Sequence, residues 1–218
     1  MSHRTISGIG GVFDMSMMVI GRSGERKYLT NAERSAFLRE ASLLEPDTFT
    51  LCSVISATGC RISEALSLTS VNIDTQAKVI VIECLKKRRK GVFRTIPVSS
   101  DLIALLCEVH DLQPRKGRKT EASPLWPFSR MTAYRRIRKA MDAAGLNGAH
   151  AMPKGLRHGF GVTAIHSQVP LNLVQRWLGH ADMRTTALYA NAVGPEERSI
   201  ALRMWRKAPS PAQLPVAR

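Results

Sequence analysis

Residues 154–191 contain, in order, the runs K-G-L-R-H-G-F-G-V-T-A-I-H, L-V-Q-R-W-L-G-H and A-D-M-R-T-T-A-L-Y-A-N. Lys154 and Arg157 are three positions apart, so on a helix they share one face and can contact the same anion. A guanidinium group suits two oxygens of one phosphate. His180 and Tyr189 follow, and Tyr189 carries a hydroxyl that can serve as a nucleophile. The stretch therefore indicates phosphoryl transfer onto a protein hydroxyl.

A second informative run, A-T-G-C-R-I-S-E-A-L-S-L, occupies residues 57–68. Gly59 allows the backbone to turn, so that Arg61 enters the site from the start of the next helix. The N–H groups of that helix N-terminus would lie beside the same phosphate. Glu64 lies one helical turn after Arg61 and can hold its guanidinium. Taken alone, the pair fits an ordinary surface ion pair equally well.

The net charge of the chain points to a polyanionic partner. Thirty-two Lys and Arg against 17 Asp and Glu give +15, which favours nucleic acid over a membrane surface. The basic residues form a hairpin cluster, residues 86–90 with Arg94, and a second cluster within residues 115–139. A merely soluble basic protein is the alternative. The predicted DNA-contacting residues are Lys87, Arg88, Arg89, Lys90, Arg135, Arg136, Arg138 and Lys139.

These motifs resemble those of the tyrosine recombinase, or phage-integrase-like, family. The resemblance rests on T-G-C-R-I-S-E-A-L near Arg61, on G-L-R-H at Arg157, on L-G-H at His180 and on Tyr189. It covers about residues 28–206. One position departs from the usual pattern, because most relatives have His where this chain has Lys154.

The resemblance implies site-specific strand exchange on double-stranded DNA, without metal or cofactor. Tyr189 would attack a phosphodiester and form a 3′-phosphotyrosine, and Arg61 and Arg157 would neutralise the phosphate. His180 and Lys154 would contact the phosphate or assist proton transfer. The hairpin would present Lys86, or else Lys87, to protonate the leaving oxygen. Relatives also imply a tetramer on DNA, formed through the C-terminal helix.

Two other functions remain open at this point. One is a DNA-binding regulator or accessory protein that has the recombinase fold but seldom cuts DNA. The other is a nicking-closing enzyme of the type IB topoisomerase kind. Most relatives have an additional helical core-binding domain, and only about 27 residues precede the catalytic pattern here, so we expect a short form without it.

The sequence predicts an α+β, mostly helical fold with a small antiparallel β-hairpin or sheet. Thr30 and Glu33 predict a capping box at the start of a helix. The strands predicted to form the hairpin are residues 79–82 and 92–98. We expect a flexible arm over residues 1–27, the catalytic domain over 28–206 and a disordered tail over 207–218.

Three further features of the sequence bear on where the protein acts and which ligands it binds. The four cysteines, at positions 52, 60, 84 and 107, form no C-x-x-C pair and predict reduced core thiols. No apolar run approaches the length of about 18 residues that a membrane span needs. The first residues show no signal-peptide pattern. We therefore expect a cytoplasmic, DNA-associated protein that contacts no membrane and binds no metal.

Overall fold

The computed structural model describes residues 19–21, 23–85, 91–112, 123–191 and 202, with backbone alone at 190 and 191. The described helices are α1 (Asn31–Ala41), α2 (Pro46–Thr58), α3 (Ile62–Leu66), α4 (Ser100–His110), α5 (Arg130–Ala143), α6 (Pro153–His166), α7 (Leu171–Leu178) and α8 (Met183–Ala187). Short 3-10 helices cover Ser70–Asn72 and Leu188–Asn191, and the strands are β1 (Ile73–Asp74), β2 (Val79–Glu83) and β3 (Phe93–Pro97). This architecture confirms the mostly helical α+β prediction.

Local signals set the helix boundaries around the site. Thr30 is the N-cap of α1, and its side chain and that of Glu33 form the predicted capping box. Helix α2 ends at Gly59, whose φ of 61° is left-handed and turns the chain sharply. Arg61 follows as the N-cap of α3, as the sequence predicts.

The three strands form one antiparallel sheet in the order β1-β2-β3. Ile80 pairs with Ile96 and Ile82 with Arg94, so these four side chains lie on the same, buried face. Residues 86–90, between β2 and β3 in the sequence, lie outside the described residues, and with them the predicted sites at Lys86, Lys87, Arg88, Arg89 and Lys90.

Arg94 corrects one detail of the sequence interpretation. The sequence groups it with the basic residues 86–90, but its side chain is on the inward face of β3 and is only 4% exposed. Residues alternate between the two faces of a strand, and both Arg94 and Ile96 fall on the face turned toward the core. Arg94 is therefore an internal residue.

The larger of two hydrophobic cores includes residues of α3 and α6, which carry parts of the site. Helix α2 packs against α1, α4, α5 and α6, and the buried sheet face adjoins the same core. Trp126 is buried in it and donates a hydrogen bond to Thr50. All four cysteines are free thiols, and burial raises the pKa of Cys52 to about 12. None of the described helices is long and apolar enough to cross a bilayer.

Some described residues before α1 contact the rest of the domain. Ile20 and Arg26 form an antiparallel bridge, and Val19 is buried in a second, smaller core that includes Tyr28 and Tyr189. Arg26 also pairs with Glu33 of α1, with a bond of 2.6 Å from Nη2 to Oε1. Apolar burial and this ion pair thus connect Val19 and Arg26 to the rest of the described chain.

Residues 1–18, residues 192–201 and residues 203–218 lie outside the described part of the chain. The predicted arm before residue 19, most of the predicted C-terminal helix and the predicted tail all fall there. The division of the chain into residues 1–27, 28–206 and 207–218 stays a prediction.

Candidate active site

Arg61 and Glu64 form a local clamp at the start of α3. The Arg61 backbone N–H donates to Glu64 Oε2 at 2.9 Å, and Arg61 Nη1 donates to Glu64 Oε1 at 2.8 Å. Glu64 is fully buried, whereas the Arg61 side chain keeps 29% of its surface exposed. The carboxylate thus orients the guanidinium while leaving part of it open to a ligand. This is the arrangement predicted for Arg61 and Glu64.

Arg157 lies on α6, is almost fully buried, and connects the end of α2 to the end of α7. Its Nη1 donates to the carbonyl of Gly59 at 2.8 Å, and its Nη2 donates to the carbonyl of Leu178 at 2.7 Å. Burial, together with the nearby charge of Arg61, lowers its pKa to about 10. The group is still cationic at neutral pH, and backbone atoms hold it in one orientation.

His180 follows the left-handed Gly179 at the end of α7 and is almost fully buried. Its Nδ1 lies 2.9 Å from Thr186 Oγ1, whereas Nε2 has no hydrogen-bond partner among the described residues. Burial and the charge of Arg157 lower its pKa to about 3, so the ring is neutral near pH 7. When Nδ1 accepts from Thr186, Nε2–H is a donor available to a phosphate oxygen.

Tyr189 lies in the 3-10 helix Leu188–Asn191, and none of its surface is exposed. Its hydroxyl oxygen is 3.2 Å from Nδ1 of His158, and its ring stacks on His180 with centroids 5.9 Å apart. Burial raises the pKa of Tyr189, although the charges of Arg157 and Arg61 act in the opposite direction. The hydroxyl therefore keeps its proton at neutral pH.

Gly161 of α6 makes room for the tyrosine ring. A Cβ at this position would lie 2.8 Å from Cδ2 and from Cε2 of Tyr189, closer than carbon atoms approach. Only a residue without a side chain permits this close approach of ring and helix. The ring of Tyr189 is consequently held flat against α6.

The structure brings together Arg61, Glu64, Arg157, His180 and Tyr189, which come from four separate stretches of the chain. His158 joins them as a residue to which the sequence interpretation gave no role. A signal was present, because His158 directly follows Arg157 in the G-L-R-H run. Adjacent helical residues face different directions, however, so the sequence alone did not place His158 on the tyrosine.

Lys154 occupies the first turn of α6, directly after Pro153. Its side chain is half-buried, and its three-residue spacing from Arg157 places both residues on one side of the helix. The proposed contribution of Lys154 to the phosphate site stays a prediction. Lys86, its proposed partner in proton transfer, lies outside the described residues.

Helix α5 carries the basic residues predicted to contact DNA, and they fall into two groups. Arg135 and Lys139 are exposed. Arg136 donates to Thr48 Oγ1 at 2.9 Å and covers the ring of Phe128. Arg138 contacts the carbonyl of Ala151 and the carboxylate of Asp142. Arg136 and Arg138 are thus engaged in contacts within the protein, whereas the side chains of Arg135 and Lys139 face solvent.

The depressed pKa of His180 predicts a specific pH dependence of stability. Between the ordinary value of 6.5 and the folded value of about 3, only the unfolded chain binds this proton. The free energy of unfolding therefore falls as the pH drops below 6.5, at up to about 1.4 kcal/mol per pH unit.

We expect the free energy of unfolding of His180→Asn to fall less steeply below pH 6.5, by about that slope, since Asn does not titrate. Urea unfolding at pH 6.5, 6.0 and 5.5 measures the slope, and carboxylates with ordinary pKa values of about 4 stay largely ionised in this window. His110, whose pKa burial also lowers, contributes equally to both proteins. Parallel curves for the two proteins would show that His180 is not buried in its neutral form.

Comparison with known proteins places the chain in a family. The sequence profile of the phage integrase family matches residues 27–194. Tyrosine recombinase XerD of Mycobacterium tuberculosis (strain CDC 1551 / Oshkosh) is 31% identical over 144 residues, which are 62% of this chain and 45% of that protein. The chain thus spans about half the length of this relative.

Solved structures show the same fold. The crystal structure of XerA recombinase superposes with a TM-score of 0.68 at 23% identity, covering 81% of this chain and 64% of that one. XerH site-specific recombinase bound to its difH substrate, in a pre-cleavage complex, gives a TM-score of 0.62 at 22% identity, with 85% and 59% covered. The chain belongs to the phage integrase family.

Proposed function

We propose that this protein is a site-specific DNA recombinase that cuts and rejoins DNA through a 3′-phosphotyrosine intermediate. The observation that carries the proposal is the position of Tyr189, whose hydroxyl lies 3.2 Å from a histidine nitrogen and whose ring stacks on His180. Family membership supports the same chemistry. XerH, a structural neighbour, is described in complex with its DNA substrate.

The proposed reaction is an in-line displacement at phosphorus. The Tyr189 oxygen forms a bond to phosphorus as the bond to the 5′-oxygen of the next nucleotide breaks. Negative charge grows on the non-bridging oxygens, and the guanidinium groups of Arg61 and Arg157 stabilise it. Nε2–H of His180 donates a further hydrogen bond to one of these oxygens.

Two proton transfers accompany the displacement. The Tyr189 hydroxyl is protonated at neutral pH and must lose its proton as it attacks. His158 Nδ1, at 3.2 Å, accepts that proton in the tautomer with hydrogen on Nε2. Lys86, or else Lys87, is the proposed donor of a proton to the leaving 5′-oxygen, because a lysine ammonium can give up its proton whereas a guanidinium cannot. Rejoining reverses both transfers.

The covered position of Tyr189 implies a movement before the reaction. A fully buried hydroxyl cannot contact an external phosphodiester, so the groups that cover Tyr189 must move aside when DNA binds, while the hydroxyl stays beside His158. The phosphate then binds between Arg61, His180 and the tyrosine. We further propose that four subunits on two DNA sites complete the exchange.

Nucleic-acid contact is proposed for the exposed basic residues of α5 and for residues 87–90 of the hairpin cluster. Arg135 and Lys139 are four positions apart, on the same solvent-facing side of the helix. Each phosphate contact releases counterions and adds about −0.9 to the log–log slope of affinity against salt. We expect the double variant Arg135→Ala/Lys139→Ala to flatten that slope by about two units.

A matched variant on the same helix is Arg136→Ala/Arg138→Ala, which removes the same charge from residues engaged in internal contacts. It should change the slope by less than about one unit. Fluorescence anisotropy of a labelled duplex at several salt concentrations measures both variants. Equal slopes for the wild type and the Arg135/Lys139 variant would remove α5 from the proposed DNA surface.

The proposed function is tested by trapping on a nicked duplex whose cleaved end diffuses away. The wild-type protein should form a covalent protein–DNA complex that withstands denaturation. It should do so in excess EDTA, because the proposed chemistry uses arginine, histidine and lysine side chains in place of a metal. DNA binding without any adduct would favour the accessory-protein alternative, and adducts without exchange between two sites would favour a nicking-closing enzyme.

A further inference from the structure

Arg94 is an arginine with almost no exposed surface, inside a chain that is otherwise rich in exposed basic residues. Its side chain is 4% exposed on the inward face of β3. All three nitrogens of the guanidinium have partners. Nη2 donates to Glu64 Oε2 at 2.7 Å, Nη1 to Cys84 Sγ at 3.2 Å, and Nε to the carbonyl of Trp177 at 2.7 Å.

The contact with Glu64 connects Arg94 to the Arg61 clamp. Glu64 receives Arg94 on Oε2 and Arg61 on Oε1, so the carboxylate lies between the two guanidinium groups. Burial alone would raise the pKa of Glu64, but the hydrogen bond and charge of Arg94, with those of Arg61, lower it. Arg94 thus keeps Glu64 ionised and fixes the carboxylate that holds Arg61.

The contact with Trp177 connects Arg94 to the end of α7. Arg94 takes the carbonyl of Trp177, and Arg157 takes the next carbonyl, that of Leu178. These carbonyls belong to the last turn of the helix, where intrahelical partners are missing. A Cβ on Gly179 would lie 3.2 Å from Arg94 Nη1, which shows how closely the side chain packs below the turn.

We propose that Arg94 is a positioning residue that sets Arg61 and His180 at a fixed separation around the scissile phosphate. The Arg94 guanidinium bonds to the Glu64 carboxylate, which holds Arg61. It also bonds to the carbonyl of Trp177, three residues before His180. This inference rests on the proposed function, since the phosphate is the ligand that both groups would contact.

A purely structural arginine would behave differently. Replacing a buried ion pair by apolar side chains often leaves stability unchanged, so burial by itself gives Arg94 no reason to be charged. Each of its donors ends on a group next to the candidate site: Glu64, the strand end at Cys84, and the α7 corner. A shift of about 1 Å between positioning groups can lower a rate about a hundredfold without loss of folding.

The test compares Arg94→Met and Arg94→Lys with the control Arg34→Met. Arg34 is a half-buried arginine that links three helices by bonding to Thr163 and to the carbonyl of Ser56. It contacts neither Glu64 nor the α7 corner in the described part of the chain. Single-turnover cleavage at saturating DNA, the dissociation constant for DNA and urea unfolding are measured for each protein.

We expect Arg94→Met to cleave about a hundredfold more slowly at saturating DNA, with a dissociation constant within about threefold of wild type. Arg94→Lys keeps a cation for Glu64 but cannot reach all three acceptors, so its cleavage rate should lie between those of the wild type and Arg94→Met. Arg34→Met should lose stability while keeping a cleavage rate within about threefold of wild type.

A second measurement does not depend on cleavage. The imidazole resonances of His180 should move in Arg94→Lys, which retains the charge and folds even if Arg94→Met does not, and they should stay unchanged in Arg34→Met. If the wild type cleaves DNA and the Arg94 variants cleave it at the same rate, the positioning role alone would be overturned. An inactive wild type would overturn the proposed function, and fixed His180 resonances in Arg94→Lys would then overturn the positioning role as well.

Discussion

Tyr189→Phe should abolish the covalent protein–DNA adduct while leaving folding and DNA affinity nearly unchanged. The substitution removes one hydroxyl, which is the proposed nucleophile, and retains the ring that packs on Gly161 and His180. Without that oxygen no phosphotyrosine bond can form, so the adduct should fall below detection. Gel electrophoresis of a labelled nicked duplex under denaturing conditions measures it.

Tyr28→Phe provides a matched control for this experiment. Tyr28 is a fully buried tyrosine in the same small core as Tyr189. Its loss of a hydroxyl should leave adduct formation intact. If Tyr189→Phe still formed adducts at the wild-type level, another residue would be the nucleophile, and the role assigned to Tyr189 would be wrong.

Arg157→Lys should reduce cleavage by at least about a hundredfold even though it retains the positive charge. The guanidinium of Arg157 donates to the carbonyls of Gly59 and Leu178 with two different nitrogens, and the group must also face the phosphate. A lysine ammonium is a point donor that cannot reach both carbonyls. Single-turnover cleavage at saturating DNA measures the loss.

The same substitution should also destabilise the fold, because a buried carbonyl is left without its donor at a cost of about 1–3 kcal/mol. Arg61→Lys should lose cleavage to a similar extent but little stability, since the Arg61 side chain is partly exposed and, among the described residues, hydrogen-bonds only to Glu64. Urea unfolding separates the two variants. Wild-type cleavage in both of them would contradict a role for the guanidinium groups at the phosphate.

The parts of the site that the sequence predicts are those fixed by short-range geometry. Gly59 turns the chain, Arg61 caps the following helix, and Glu64 lies one turn later, so their arrangement depends on ten residues or fewer. The spacing of His180 and Tyr189 likewise sets a turn, a short helix and a 3-10 helix between them. Here local periodicity and capping chemistry determine the structure.

Other parts of the site depend on contacts between distant segments, which the sequence does not show. Arg94 lies 30 positions from Glu64 and 83 from Trp177, and its neighbours in the chain made it resemble a surface cation. His158 and Tyr189 are 31 positions apart, and their contact requires α6 and the Leu188–Asn191 segment to pack together. Tertiary packing decides both contacts.

Mapping the attachment site of the trapped DNA tests the central claim most directly. The wild-type adduct is digested with trypsin and nuclease, and the peptide that retains a nucleotide is sequenced by mass spectrometry. Cleavage after Arg184 and Arg198 gives a peptide of residues 185–198, in which Tyr189 is the single tyrosine. We expect the nucleotide on Tyr189. A nucleotide on any other residue, or a protein that yields no adduct on a nicked duplex it binds, would contradict the account.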